Sequence, residues 1–227
     1  MSRIWAVLFD LDGTLIDTAA DLLGTLDDVR AELGLPPCAA SLPPAVAARG
    51  GRGILTLGFP EDPQAVERLL PRYLELYGAR LARLSRPYAG IEAMLDALAE
   101  RGVPVGIVTN KPQALATALL RQIGWGARFG VLVGGDTLAV RKPAPEPVWH
   151  ACVALGIAPA QAAMVGDDER DIQAGRAAGC GLTIAAAYGY LEPGVRAADW
   201  AADVTVATPM QVLPALLARI DRVAAPC

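Results

Sequence analysis

Residues 5–14 have the sequence Trp5-Ala6-Val7-Leu8-Phe9-Asp10-Leu11-Asp12-Gly13-Thr14, and this stretch decides the fold. Its first five residues form an almost uninterrupted apolar run, which is typical of a strand buried on both faces of a parallel sheet. Two carboxylates, a glycine and a threonine follow at once. Ligands of open parallel sheets bind at the carboxyl ends of the strands, so this acidic end is placed where a reaction centre is expected. A turn that caps the next helix is the alternative at this point.

Further along the chain, apolar strands alternate with amphipathic helices. Strands are predicted at 103–108, 131–133, 162–165, 182–186 and 204–206, and helices at 91–100, 112–123, 145–155, 166–178 and 210–223. This alternation indicates an α/β protein with a doubly wound parallel sheet. Helices at 17–33 and 65–84, with no convincing strand between residues 34 and 84, set one region apart. We predict an inserted all-helical cap domain at 17–85 and a catalytic core at 1–16 and 86–227.

The composition excludes several classes of protein. Apolar residues make up 53% of the chain and charged residues 19%, which is typical of a compact globular protein. The net charge is −4, and no cluster of Lys and Arg suggests a nucleic-acid partner. No secretory signal and no apolar run long enough to cross a bilayer is found. We therefore expect a cytoplasmic enzyme without a membrane partner.

Thiol and imidazole chemistry is not favoured by the sequence. Cys38, Cys152, Cys180 and Cys227 are scattered without the close pairs of a zinc site, so we expect reduced thiols. His150 is the single histidine, and it falls in a predicted helix, where a helix-surface or a satisfied core position is expected rather than a catalytic one. Proton transfer is therefore assigned to carboxylates.

Polar clusters follow three of the predicted strands. The clusters are Asp10 with Asp12, Thr109 with Asn110, and Asp167 with Asp168 and Asp171. Parallel strands present these ends at one edge of the sheet, so the clusters are expected to converge. So many carboxylates would repel one another without a hard divalent cation, and oxygen ligands of this kind suit Mg²⁺. Lys142, in a proline-rich loop, adds a positive charge suited to a phosphoryl group.

These residues together resemble the four motifs of the haloacid dehalogenase superfamily. The matching stretches are Asp10-Leu11-Asp12-Gly13-Thr14, the strand end at Thr109, Lys142-Pro143, and Gly166-Asp167 with Asp171, in the order expected for the family. The match spans essentially the whole chain. The resemblance implies a Rossmann-like core, and the helical insert is similar to the mobile cap of the phosphoglycolate phosphatase-like branch.

The resemblance implies a covalent mechanism at the first motif. Asp10 would attack phosphorus and form an aspartyl-phosphate, while Asp12 would protonate the leaving alkoxide and later deprotonate the hydrolytic water. Dehalogenases of the family lack the second aspartate, so Asp12 favours phosphoryl transfer. The expected enzyme is a phosphoric monoester hydrolase.

The remaining motifs imply positions for the phosphate and the metal. Thr109 and the amide of Asn110 would hold phosphate oxygens, and Lys142 would offset the charge between nucleophile and phosphate. The implied ligands of Mg²⁺ are the Asp10 carboxylate, the Asp12 backbone carbonyl and the Asp167 carboxylate. Asp171 is expected behind them, where it orients metal-bound waters or Lys142, and Asp168 is expected to cap the following helix.

The substrate is expected to be a small phosphate ester, and two candidates share the mechanism. Residues 109–112 and 134–138 resemble phosphoglycolate phosphatases, whereas 188–190 and 200–203 also resemble N-acetylmuramic acid 6-phosphate phosphatases. Arg49 and Arg52, in a glycine-rich stretch interpreted as a loop, favour 2-phosphoglycolate because each can bind a carboxylate.

Two other functions stay open from the sequence alone. One is a mutase of the β-phosphoglucomutase kind, and the other is a binding protein that retains the fold without turnover. The latter is disfavoured because no motif position is missing. The oligomeric state is expected to be a monomer or a homodimer.

Overall fold

The computed structural model of this protein describes residues 3–220, and its strands confirm the predicted sheet. The strands are β1 Ala6–Phe9, β2 Ile16–Asp17, β3 Arg86–Pro87, β4 Val105–Val108, β5 Val131–Val133, β6 Ala162–Gly166, β7 Leu182–Ala186 and β8 Val204–Val206. Six of them form one parallel sheet in the order β5-β4-β1-β6-β7-β8. Strands β2 and β3 form a separate antiparallel pair. The fold class predicted from the sequence is confirmed.

Helices connect the strands and form the insert. They are α1 Ala19–Glu32, α2 Gly50–Gly58, α3 Ala65–Arg80, α4 Ile91–Glu100, α5 Gln113–Gln122, α6 Glu146–Ala154, α7 Glu169–Ala178 and α8 Val212–Ile220. Helices α1, α2 and α3 pack against one another. The predicted closing helix was placed at 210–223, of which 221–223 lie outside the described residues. Within residues 3–220, no helix is both long and apolar enough to span a bilayer.

Strand β1 is buried on both faces, as its apolar run predicts. Val7 and Phe9 belong to the larger hydrophobic cluster, and Leu8 belongs to a second cluster on the opposite face of the sheet. The larger cluster includes the apolar face of α4, with Ile91 and Leu95. Each such buried side chain contributes about 1.5–3 kcal/mol of hydrophobic stabilisation, so helices cover both faces of the sheet.

The strand order places the strands that end in polar clusters next to one another at the centre of the sheet. Strand β1 lies between β4 and β6, and the chain continues from β1 outward through β4 to β5 and then crosses over to β6. This reversal of direction opens a crevice beyond the carboxyl ends of β1 and β6, which is where ligands of doubly wound sheets bind. Asp10 immediately follows β1, and Asp167 immediately follows β6.

The structure corrects the interpretation of residues 49–53 as a loop. Helix α2 begins at Gly50, directly after a 3₁₀ turn that ends at Arg49. A Cβ atom at Gly51 would lie 2.8 Å from the ring of Tyr73, so the missing side chain lets α2 pack closely on α3. Gly51 therefore serves helix packing, although Gly50 and Gly51 also line a cavity described below.

Helix α3 ends earlier than the predicted 84. It ends at Arg80, and Ala82 has a left-handed φ of 59°. The buried carboxylate of Asp21 accepts hydrogen bonds from the backbone N–H groups of Leu84 and Ser85 at 3.0 and 2.8 Å. These tertiary bonds hold residues 84–85 outside the helix although their apolar pattern continues it.

The cysteine and histidine predictions are confirmed where the structure describes them. Cys38, Cys152 and Cys180 are free thiols, and Cys227 lies outside the described residues. His150 lies exposed on α6. No thiol or imidazole is therefore added to the site described next.

Candidate active site

Asp10 and Lys142 form an ion pair at the end of β1. The Lys142 Nζ donates to Asp10 Oδ1 at 2.8 Å, to Asp171 Oδ1 at 2.6 Å and to the Val108 carbonyl at 2.5 Å. The lysine side chain is buried, and burial by itself lowers its pKa. The charges of Asp10 and Asp171 outweigh that effect and raise the pKa of Lys142 above its usual value. Lys142 is therefore a fixed cation beside Asp10.

Asp167 lies opposite, at the end of β6, and its orientation is fixed by two donors. The Thr14 hydroxyl donates to Asp167 Oδ1 at 2.6 Å, and the backbone N–H of Tyr190 donates to Oδ2 at 2.9 Å. Gly13 has a φ of 87° and packs so closely on Asp167 that a Cβ atom would collide with this carboxylate. Glycine is therefore required at position 13 of the Asp-x-Asp-Gly-Thr stretch.

Three buried carboxylates form a group that could hold a cation. Oxygen atoms of Asp10, Asp167 and Asp171 lie within 4.8 Å of one another. Burial, followed by the charges of Asp10 and Asp171, raises the pKa of Asp167 well above its usual value. When all three carboxylates are ionised, the single ammonium of Lys142 leaves two of their negative charges uncompensated, and a divalent cation would balance these. An all-oxygen donor set with this charge fits Mg²⁺.

Asp171 has a second role at the start of α7. Its Oδ2 accepts the backbone N–H of Asp168 at 3.1 Å, while Asp168 Oδ1 accepts the backbone N–H of Arg170 at 2.9 Å. Asp168 is therefore the N-cap of the helix, as predicted. Burial and the neighbouring carboxylates raise the pKa of Asp171 to about 7, against the lowering effect of Lys142.

Thr109 and Asn110 follow β4 on the other side of Asp10. The Asn110 Nδ2 donates to the Lys142 carbonyl at 3.0 Å, which ties the Lys142 loop to this strand end. Its Oδ1 is buried without a hydrogen-bond partner. The buried Thr109 hydroxyl accepts the backbone N–H of Lys111 at 3.2 Å. The strand ends predicted to converge thus lie around one point.

Asp12 has a partner that the sequence reasoning missed. The Lys111 Nζ donates to both carboxylate oxygens of Asp12, at 2.8 and 3.1 Å, and to the Tyr77 hydroxyl on α3 at 2.7 Å. A compositional signal could have found this residue. Of 20 cationic residues in the sequence only Lys111 and Lys142 are lysines, and both lie in the site.

A cavity of about 250 Å³ lies between the insert and these strand ends. Its polar floor is formed by the groups described above, and its apolar wall comes from Leu22, Leu70, Tyr73, Leu74, Tyr77 and Leu115. Arg49 and Arg52 line it as well, but each has a carboxylate partner. Arg49 forms a two-point ion pair with Glu192, at 2.5 and 2.7 Å, and Arg52 pairs with Glu67.

Tyr190 lies in the stretch 188–190 that resembles N-acetylmuramic acid 6-phosphate phosphatases, and the structure shows its hydrogen bonds. Its hydroxyl accepts the backbone N–H groups of Thr18 and Ala19 at 2.6 and 2.8 Å. Because its own backbone N–H binds Asp167, the same residue connects the metal-binding candidate to the start of α1. The hydrogen bonds join residues more than 170 positions apart, which no local pattern reveals.

A carboxylate pair and a buried lysine at the switch point of a parallel sheet, under a helical insert, define a class of α/β hydrolases with an aspartate-based site. Comparison with known proteins names the family. The sequence model of a protein family described as haloacid dehalogenase-like hydrolase matches residues 7–185. The chain belongs to this family.

Relatives refine the class. A phosphoglycolate phosphatase of Xanthomonas campestris pv. campestris is 45% identical over 91% of this chain and 94% of the relative. An N-acetylmuramic acid 6-phosphate phosphatase of Pseudomonas aeruginosa is 41% identical over 94% and 95%. A crystal structure from Haemophilus somnus, described as a predicted phosphoglycolate phosphatase, covers 95% of this chain and 99% of its own, with 25% identity and a TM-score of 0.82. This chain is a phosphatase of the family, a phosphoric monoester hydrolase.

Proposed function

We propose that this enzyme is a Mg²⁺-dependent phosphatase that hydrolyses 2-phosphoglycolate through an aspartyl-phosphate on Asp10. The observation that carries the proposal is that Asp10 accepts a hydrogen bond from Lys142 at 2.8 Å and lies within 4.8 Å of the carboxylates of Asp167 and Asp171. A fixed cation and a divalent metal close by suit a carboxylate that must approach an anionic phosphate. We assign the core to 1–16 and 86–227 and the cap to 17–85, with the β2–β3 pair at the two crossings supporting this division.

In the first step, a carboxylate oxygen of Asp10 attacks phosphorus and the bond from phosphorus to the leaving oxygen breaks. Asp12 gives its proton to the departing alkoxide. In the second step, Asp12 takes a proton from a water molecule that attacks the same phosphorus. The bond to Asp10 then breaks and inorganic phosphate leaves. The two steps return both aspartates to their starting forms.

The surrounding residues are assigned to hold the phosphoryl group. Lys142 offsets the negative charge of Asp10 and of the phosphate, and Thr109 and Asn110 provide hydrogen bonds to phosphate oxygens. Asp10, Asp167 and the Asp12 carbonyl would hold Mg²⁺, with Asp171 orienting Lys142. Bound there, the metal would supply positive charge that stabilises the transition state.

The choice of 2-phosphoglycolate is supported by the cations around the cavity and by the relatives named for this substrate. Arg49 and Arg52 stay predicted substrate-binding residues. The second candidate, N-acetylmuramic acid 6-phosphate, is favoured by the Pseudomonas aeruginosa relative. An amino-sugar phosphate requires more room and neutral hydrogen-bonding groups, whereas this cavity of about 250 Å³ is lined by Arg49, Arg52 and Arg141. A cytoplasmic location and a monomer or homodimer stay predictions.

Phosphate release tests the proposal. The wild-type enzyme is incubated with 2-phosphoglycolate, N-acetylmuramic acid 6-phosphate, a hexose phosphate and pyrophosphate, with Mg²⁺ or with EDTA. We expect the highest kcat/KM for 2-phosphoglycolate and loss of activity in EDTA that added Mg²⁺ restores. Preference for the amino-sugar phosphate would reassign the substrate, and full activity in EDTA would contradict the metal.

A further inference from the structure

We propose that Lys111 binds the carboxylate of the leaving group and thereby selects 2-phosphoglycolate over uncharged phosphate esters. This inference rests on the proposed function. The residue has no role in the mechanism above, yet its side chain is 4% exposed and its Nζ lies beside the proton-transferring aspartate.

The leaving group must lie beside Asp12 when the bond to phosphorus breaks. Asp12 can protonate the departing oxygen only when that oxygen is within hydrogen-bond distance of its carboxyl group. In 2-phosphoglycolate, a single methylene separates this oxygen from the carboxylate. The carboxylate therefore lies close to Asp12, and the Lys111 Nζ is 2.8 and 3.1 Å from the two oxygens of Asp12.

The Lys111 ammonium group has enough donors to bind a substrate carboxylate. A lysine ammonium has three N–H donors, and here they are directed to the two Asp12 oxygens and to the Tyr77 hydroxyl. A substrate carboxylate can replace one Asp12 oxygen as acceptor. That exchange leaves one oxygen of Asp12 facing the leaving group while Tyr77 continues to hold the ammonium.

The arginines that line the cavity are more exposed than Lys111. The side chains of Arg49 and Arg52 are 46% and 53% exposed, and each is paired with a glutamate. Arg141 is exposed at the edge of the same cavity. Water screens such exposed charges, whereas a charge as buried as Lys111 interacts more strongly with an anion at the same distance. The Lys111 Nζ also lies 4.5 Å from the centre of the Tyr77 ring, and this contact helps to fix the position of the ammonium group.

A pair of substrates of equal size isolates this charge. We compare kcat/KM for 2-phosphoglycolate with that for its carboxamide, 2-phosphoglycolamide, in the wild type and in Lys111→Met. The wild type is expected to prefer the acid, and Lys111→Met is expected to reduce this preference on the order of 10- to 100-fold, the effect of one lost hydrogen bond between charged groups. A purely structural role in holding Asp12 would lower both values equally and leave the preference unchanged, which would overturn the inference.

Matched variants separate Lys111 from the other cations. Arg68→Met, on the exposed face of α3, serves as the control and is expected to retain the preference. Loss of the preference in Arg52→Met or Arg141→Met, with Lys111→Met unchanged, would transfer the role to that arginine and overturn the inference.

If Lys111→Met has no measurable turnover, a binding experiment can still test the inference. In an Asp10→Asn background, calorimetry measures the Kd of 2-phosphoglycolate and of inorganic phosphate with and without Lys111→Met. We expect affinity for 2-phosphoglycolate to fall on the order of 10- to 100-fold while affinity for inorganic phosphate is retained. Equal loss of both would overturn the inference. A wild type that hydrolyses other esters but not 2-phosphoglycolate would instead refute the proposed substrate, and this inference with it.

Discussion

Lys142 is the residue whose surroundings most restrict the mechanism. Its ammonium group is bound by two carboxylates and one backbone carbonyl, in a place that water barely reaches. Because these three acceptors hold the ammonium group in place, it cannot move away to serve as a proton donor. In the proposed mechanism, its contribution is therefore a stationary positive charge beside Asp10, already in place before the phosphate arrives.

Lys142→Met is expected to lower kcat by about 10²–10³-fold, because it removes a preorganised charge at the reacting group. It also leaves Asp10 and Asp171 as unpaired buried carboxylates, so we expect a lower Tm in the absence of Mg²⁺. Steady-state phosphate release and thermal unfolding by circular dichroism measure the two effects. A kcat within threefold of the wild type, with Arg68→Met as the control, would contradict the assignment.

Site residues at the ends of strands could be predicted from the sequence. Site residues that meet only through tertiary contacts could not. Asp10, Asp167 and Thr109 could be located because each follows or ends an apolar run, and parallel strands bring such ends together. The contact of Lys111 with Asp12 joins residues 99 positions apart and has no periodic signal. The role of Tyr190 was missed for the same reason.

Among the elements, helix α2 shows how an ambiguous local pattern is decided by packing. Three glycines within five residues normally disfavour a helix, since glycine loses more backbone entropy than other residues on folding. The neighbouring helix compensates because its Tyr73 occupies the space that a side chain at Gly51 would need. The packing partner lies more than twenty residues away in sequence, so the pattern alone favoured a loop.

The junction between α1 and the end of the insert depends on Asp21. Its buried carboxylate accepts the backbone N–H groups of Leu84 and Ser85 and the Ser85 hydroxyl, the last at 2.6 Å. Asp21→Ala would leave these donors without a partner in a buried place. We expect a loss of about 2–4 kcal/mol in the free energy of unfolding.

Urea unfolding followed by circular dichroism measures this loss. Glu75→Ala removes an exposed carboxylate from α3 and is the matched control, with an expected change below about 1 kcal/mol. If Asp21→Ala were as stable as this control, the hydrogen bonds of the junction would not be the reason that α3 ends before Leu84.

Across the whole molecule, polar contacts around the cavity connect the proposed cap, residues 17–85, to the rest of the chain, beside apolar packing that includes residues of both regions. Arg49 pairs with Glu192, Arg170 donates to the Ala48 carbonyl at 2.9 Å, and Lys111 reaches Tyr77. Polar contacts of this kind can be exchanged for contacts with water or substrate at little cost. Opening of the proposed cap to admit substrate would exchange these contacts.

The Arg49 pair allows the predicted substrate-binding role to be tested. If Arg49 binds the substrate, Glu192→Gln frees it and lowers KM for 2-phosphoglycolate, whereas Arg49→Gln raises KM. We expect these opposite shifts in steady-state kinetics, with Asp199→Asn, which breaks the exposed pair with Arg196, as the control. Equal shifts in the same direction would show that the pair acts only as a connection between cap and core.

The overall architecture could be predicted because its signals are long and periodic. The apolar runs of β1 and β6 and the amphipathic helices between them require a sheet covered on both faces. The short pair of β2 and β3 was missed, since two-residue strands carry no periodicity. The geometry of the cavity was also beyond reach, because it depends on where the insert comes to rest on the core.

Rapid acid quenching tests the assignment of Asp10 as the nucleophile most directly. The enzyme is quenched during turnover of 2-phosphoglycolate with Mg²⁺, and the peptide that contains residues 4–30 is analysed by mass spectrometry. We expect one phosphoryl group on Asp10, removed by hydroxylamine and absent from Asp10→Asn. Normal turnover of the wild type with no phosphoryl group on Asp10 would contradict this assignment. Full activity of Asp10→Asn would contradict it as well.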